Sequence, residues 1–278
     1  MSKRILRSSR EINLMRRAGL VVWQAHQAAF KLIRPGVTTA ELNRAVADTF
    51  RRKSAEPLFL NFPGEIPFPA ESCISINEEL VHGIPGKREL REGDIVSIDT
   101  GCRLNGWCAD AAVTHTVGEV SRVASKLLEA TKGVLDLAIE LMSKEKVWSE
   151  VARGMDAFIN EKGFSMVRSM VGHGIGKEMH EPPQVRNFYA QETIDDDFSL
   201  KPGVVLAVEP MVNVGTEELT IRSDRWTAAT KDKQLSAHFE HTIAIVAEGP
   251  WRLTSAPSSE ELDLVDPEFR QAEEWVWW

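Results

Sequence analysis

Apolar residues recur at helical spacing near the start of the chain: Ile12, Met15, Leu20, Val22, Ala29 and Phe30 form a rough stripe. Ser8 or Ser9 can cap this segment, Glu11 strengthens its start and Pro35-Gly36 stops it, so a helix is expected over 8–34. A second helix begins at Thr38 or Thr39, just ahead of Glu41, and carries Leu42, Val46 and Phe50. A loop then sets Pro57, Pro63, Pro67 and Pro69 among Phe59, Phe62 and Phe68, a composition that suits a binding wall better than a linker. Strands are expected at 72–77, 94–100 and 107–117. Helical spacing returns over 121–142 and 148–162, the latter closed by Lys162-Gly163, and strands follow near 165–171, 204–209, 219–222 and 238–246. The order helix-helix-strands therefore occurs twice. It predicts an α+β domain of two similar halves, with antiparallel strands in the middle and helices outside. From Ser255 the composition changes to an acidic stretch ending in Trp275, Trp277 and Trp278. Residues 1–254 are read as one domain and 255–278 as a tail whose acidic run, Glu260 to Asp266, is solvated and which catalysis does not need.

Composition narrows the class. Hydrophobic residues make up 43% of the 278, enough for an ordinary soluble core. A net charge of −8 and a pI near 5.5 argue against a general nucleic-acid binder. The one basic concentration, Lys3 to Arg17, is interleaved with apolar residues and reads as a solvated helix face. No apolar run approaches the roughly 18 residues of a membrane span, and the first residues hold no apolar signal region, so a cytoplasmic protein is expected. Cys73, Cys102 and Cys108 are expected to be thiols, with Cys73 lining a pocket.

The most informative stretches are DIVSIDTG, with Asp99, and WCADAAV, with Asp110. They flank Asn105-Gly106, the strongest short-range hairpin signal. A two-residue turn there places Leu104 opposite Trp107 and Asp99 opposite Ala112. Asp110 then shares a face with Asp99, on the diagonal at roughly 7–8 Å. Two carboxylates closing on an apolar face repel each other, and burying them is costly unless a cation lies between. If the turn has another length, one aspartate faces solvent instead.

Other residues join this pair. GHGIG holds His173, with His180 downstream; Glu209 lies in LAVEPM and Glu240 in HFEHTIAIV. Singly, each has a plainer reading: His173 as a core or loop histidine, Glu209 or Glu240 as a strand-edge ion-pair partner. Together they place carboxylates and one imidazole on apolar strands that normally exclude acids. Such a set suits two divalent ions bridged by shared carboxylates. A mononuclear iron site built on His173, His180 and one acid leaves the remaining strand carboxylates unexplained.

The runs SINEELVHGIPG, SIDTGCRLNGWCADAA, MVGHGIGKEMHEPPQV, LAVEPMVN and FEHTIAI, with the opening EINLMRRAG, resemble the type I methionine aminopeptidases over about residues 5–254. The resemblance implies the pita-bread fold, two pseudo-symmetric halves around a central antiparallel sheet. It implies that Asp99, Asp110, His173, Glu209 and Glu240 hold two divalent ions (cobalt, manganese, iron or zinc), with Asp110 and Glu240 bridging. A bridging hydroxide would be the nucleophile and Glu209 the proton shuttle. His82 would lie near the substrate amine, and His180 would steady the scissile carbonyl oxygen. The implied substrate is the N-terminus of a nascent polypeptide that begins with Met, met transiently at the ribosome by a monomeric enzyme.

Phe62, Phe68, Cys73, Met179 and Trp226 are the expected side-chain pocket. Several positions depart from the family pattern. Phe62 and Phe68 stand where tyrosines are common, with extra residues 63–67 between them; Met179 replaces an aromatic; His238 stands where glutamine is expected. The tail after about 254 has no counterpart. The stretch between His180 and Glu209 is too short for the type II helical insertion, and no cysteine-rich N-terminal extension is present. Two other functions fit the same fold: a proline-specific peptidase, which usually carries a large extra N-terminal domain, and a non-catalytic binding module, which would be expected to lose ligands.

Overall fold

The computed structural model describes residues 6–191 and 197–270. Among the described residues four long helices form, at the places the periodicity indicates: α1 (Ser9–Phe30), α2 (Thr39–Lys53), α3 (Arg122–Met142) and α4 (Trp148–Lys162). Ser8 and Thr38 cap α1 and α2 through reciprocal bonds with Glu11 and Glu41, which satisfies end N–H groups that would otherwise face water. Helix α1 stops at Phe30 rather than 34, because Leu32 and Ile33 turn back onto Ala29 and Phe30 in a tighter winding before Pro35. Among the described residues, no helix is long and apolar enough to cross a membrane.

The first half is built on the hairpin Ile95–Leu104 and Trp107–Thr116. Asn105 and Gly106 both take positive φ (51° and 80°), as a two-residue hairpin turn needs. Leu104 faces Trp107 and Asp99 faces Ala112, the expected register. Cys73–Ile76 and the short Glu56–Pro57 share the other edge of Ile95–Leu104. Helices α1 and α2 cover this sheet, and Val22, Ala25, Leu42, Phe50, Ile74, Val96 and Ile98 fill the space between.

The second half carries a five-stranded antiparallel sheet in the order Gly249–Arg252, His241–Val246, Val205–Val208, Gly172–Gly174, Glu181–Val185. Its edge strand contains Pro182-Pro183, tolerated there because one side of an edge needs no ladder donors. Helices α3 and α4 pack against it through a core that includes Leu127, Val134, Met155, Leu206 and Ile243. A smaller sheet sets Met211–Asn213 between Ser236–His238 and Ser165–Met166.

The two halves are stitched along one seam. Asp110 N–H donates to Thr242 Oγ1 (2.9 Å), Glu240 N–H donates to Ala112 O (2.9 Å), and His238 N–H donates to Thr114 Oγ1 (2.9 Å). The residues step by two in opposite directions, so alternate side chains of both strands meet on one face.

The tail corrects one expectation. Its acidic run is not simply solvated. Glu261 pairs with the buried Arg16 at 2.7 Å, Asp266 pairs with Lys53, and the Asp266 N–H donates to Gln24 Oε1 (2.8 Å). Val265 and Phe269 are buried against Leu20 and Trp23 of α1, with the Phe269 ring edge-on to Trp23 at 6.1 Å. Trp275, Trp277 and Trp278 lie outside the described residues. Removing everything after Thr254 is expected to lower the melting temperature while leaving peptide turnover unchanged at temperatures where the chain stays folded. Each lost apolar side chain is worth about 1.5–3 kcal/mol. Thermal melts and turnover of the truncated chain check this; a large loss of turnover in folded protein would show that the tail serves the site.

Candidate metal centre

The acids converge because two paired strands change sheets side by side. Val205–Val208 leaves the five-stranded sheet and continues as Met211–Asn213 in the smaller one; the switch falls at Glu209-Pro210. Its partner enters as Ser236–His238 and leaves as His241–Val246, switching at Phe239-Glu240. Both glutamates therefore sit at kinks where the ladder is interrupted. The seam sets Asp110 next to them, and the hairpin register adds Asp99. Gly101, opposite Asp110, makes room: a Cβ there would lie 2.9 Å from Asp110 Oδ1.

Asp110, His173 and Glu240 bring ligand atoms within 4.8 Å of one another. Asp99, Asp110 and Glu240 are buried, and Asp99 Oδ1, Asp110 Oδ1 and Glu240 Oε1 have no hydrogen-bond partner. Buried carboxylate oxygens without partners are expensive. Burial first, then mutual repulsion, holds the acids of Asp99, Glu209 and Glu240 well above their ordinary range; burial pushes Asp110 up to about 7. Ionised together, such a set is costly unless a cation is bound among them.

His173 completes the arrangement. Its Nδ1 lies 3.0 Å from the Gly174 carbonyl, to which an Nδ1–H donates. That leaves Nε2 as a lone pair, 3.5 Å from Glu209 Oε1. Burial lowers the ring to about 4, so it is neutral and able to ligate. The residues thus fit divalent metal, through oxygen and imidazole donors.

His82 and His180 border the acids without joining them. His180 meets His173 edge to face at 4.4 Å and Phe62 at 5.4 Å. Burial lowers both His82 (to about 4, with His180 adding to it) and His180, so both are neutral rings. His82 takes φ of 59°, a left-handed conformation that few side chains accept and that recurs at functional sites.

The site shares a cavity of about 150 Å³ in which the acids, His173, His82 and His180 face the expected Phe62, Phe68, Cys73, Met179 and Trp226, and also Phe59. All three cysteines are free thiols, and buried. Residues 63–67 fold over the outer face: Trp226 Nε1–H donates to Ile66 O at 2.7 Å, and Gly64 lies against the same ring. Beside this cavity lies a groove of about 700 Å³ that includes Met170, Gln184, Arg186, Met211 and His238. Phe59 was legible only as one aromatic of the loop. His238 was legible only as an unusual residue.

The sequence profile of metallopeptidase family M24 matches residues 13–247. The chain belongs to this family. Within M24 it is similar to methionine aminopeptidases along nearly its whole length. The enzyme of Clostridium perfringens is 41% identical over 250 residues, 90% of this chain and 98% of that protein. Methionine aminopeptidase 1 of Bacillus subtilis is 40% identical over 245 residues, 88% of this chain and 96% of that protein. Among solved structures, the methionine aminopeptidase of Thermotoga maritima superposes with a TM-score of 0.85 at 37% identity, covering 91% of this chain and all (100%) of that one. The prolidase of Pyrococcus furiosus shares the fold, with a TM-score of 0.71 at 22% identity and 66% of its length covered. These M24 relatives bear out the pita-bread α+β fold and make the chain a metallopeptidase, hence a hydrolase.

Proposed function

We propose that this chain removes the initiator methionine from the N-termini of nascent proteins, as a metal-dependent aminopeptidase with two divalent ions at Asp99, Asp110, His173, Glu209 and Glu240. The observation that carries the reading is the junction of two features within one cavity of about 150 Å³: buried carboxylates with unpartnered oxygens on one wall, and the aromatic and sulfur side chains of Phe59, Phe62, Phe68, Cys73, Met179 and Trp226 on the other. Divalent ions bound there would lower the pKa of water toward neutrality and polarise a carbonyl.

The chain's own groups do the rest. Phe62, Phe68, Cys73, Met179 and Trp226 give a slot of aromatic rings and sulfur suited to an unbranched thioether. The residues that follow the methionine lie in the larger groove. His82 faces the substrate amine. His180, as a neutral ring, donates to the scissile carbonyl oxygen as charge develops there. Glu209 carries a proton from the attacking water to the leaving amine.

Protein stripped of metal and re-supplied with manganese, iron, cobalt or zinc in turn tests this. Cleavage of Met-Ala-Ser on re-supply is expected, with Ala-Pro-Ala left intact. The reverse preference would identify a proline-specific peptidase, and loss of all cleavage a binding module.

His180→Ala is expected to keep its metal and lose about 10²–10³ in turnover, the usual cost of removing one donor to a developing oxyanion. Metal content and kcat are the measurements. Loss of metal with the rate per bound ion intact would put His180 among the ligands.

A further inference from the structure

His238 has no task in the reaction just described, yet the fold fixes it beside the most active group in it. Its backbone is clamped on both sides by one hydroxyl: its N–H donates to Thr114 Oγ1 at 2.9 Å, and its carbonyl accepts from the same oxygen at 2.8 Å. Its side chain is 2% exposed, and neither ring nitrogen has a hydrogen-bond partner. A buried polar group left so is costly. The residue across the ladder, Met211, is apolar and offers it nothing. Nε2 points toward Glu209, 3.8 Å from Oε2. The other oxygen of that carboxylate, Oε1, faces His173 Nε2 at 3.5 Å. Glu209 therefore lies between two imidazoles, one toward each oxygen.

We propose that His238 is a positioning residue for Glu209: its Nε2 faces Oε2 at 3.8 Å, beyond hydrogen-bond length here, and closes to donate an N–H to that oxygen when the carboxylate joins the ligand set, fixing its rotation so that Oε1 is presented beside His173. The terminal torsion of a glutamate is broad and roughly two-fold, so an unrestrained carboxylate spreads over orientations. A donor fixed from the seam strand removes that freedom. A glutamine at 238 could supply an N–H from its amide to the same oxygen; an apolar side chain could not. The inference rests on the reading of Glu209 as ligand and proton carrier.

The test compares wild type with His238→Gln, His238→Leu and His238→Met, the last keeping an apolar variant in hand if the leucine variant does not fold. Binding of Co(II) to metal-free protein is followed by calorimetry and by the visible spectrum, and kcat and KM are measured on Met-Ala-Ser. The leucine and methionine variants are expected to lose about 10–100-fold in metal affinity and in kcat, as when a partner that orients a ligand is removed. KM should hold, the cobalt spectrum should shift, and glutamine should recover most of the loss. Apolar variants with wild-type affinity and kcat overturn the assignment. So does a glutamine variant that loses a whole equivalent of metal, which would make His238 a ligand itself. Failure of the wild type to bind cobalt or to cleave Met-Ala-Ser strikes the functional reading instead.

Discussion

Glu209→Gln is expected to lower turnover of a Met-initiated peptide by about 10²–10⁴, the range for removing a general acid–base, while the chain stays folded. The side chain keeps its length, so the kink at Glu209-Pro210 and the contact with His173 survive in shape. What is lost is a group able to take and return a proton. The same change removes an acid whose ionisation is opposed by burial and by Asp110, and which in turn raises the acids of Asp99 and Glu240. Metal-free Glu209→Gln is therefore expected to melt no lower than metal-free wild type, even as its activity collapses. That opposition of effects separates a catalytic role from a structural one. Turnover, metal content and melting temperature together decide it: activity within a few-fold of wild type, at full metal content, removes Glu209 from the mechanism.

The hairpin was legible because one dipeptide fixes it. Asn105-Gly106 takes the positive φ values a two-residue turn requires, and the register of every residue from Ile95 to Thr116 follows, including the shared face of Asp99 and Asp110. The helices were legible from stripe and cap. The positions of Glu209 and Glu240 were legible as places but not as geometry. Glu209 reads as the end of a strand over 204–209 and Glu240 as the interior of one over 238–246, whereas at both the chain passes from one sheet into another, and a switch of sheet depends on a partner far away in sequence. The strand Glu181–Val185 was hidden by its prolines, which signal a loop until its edge position is known. The docking of the tail was hidden for another reason. Phe269 is a single apolar residue among charges, and its partner Trp23 lies in the first helix, so no local pattern announces the contact.

A second large effect concerns pH and metal together. In metal-free protein, burial and then mutual repulsion raise the acids of Asp99, Glu209 and Glu240, and burial raises Asp110 to about 7. The folded chain thus holds protons that the unfolded chain has already released, and stability falls as pH rises through those values. The buried histidines act in the opposite sense. Burial lowers His26, His82 and His173 to about 4, and His115, His238 and His241 to about 3, against an ordinary 6.5. Below 6.5 the unfolded chain takes up protons that these folded rings refuse, so stability is also lost as pH falls toward 3–4. Metal-free protein is therefore expected to melt highest near about pH 6–6.5 and lower on both sides, with each extra proton bound by one state worth about 1.4 kcal/mol per pH unit. In a chain this size that is roughly 2–4 °C for each kcal/mol. Bound divalent ions take the carboxylates in their ionised form, so the loss on the alkaline side should vanish while the acid side, set largely by histidines away from the metals such as His26, His115 and His241, remains. Melting curves of stripped and metal-loaded protein across about pH 5–9 read this directly. A stripped protein as stable at about pH 8.5 as at about pH 6.5 would mean that the four carboxylates ionise without penalty, and that they do not form the tight, cation-seeking cluster on which the function rests.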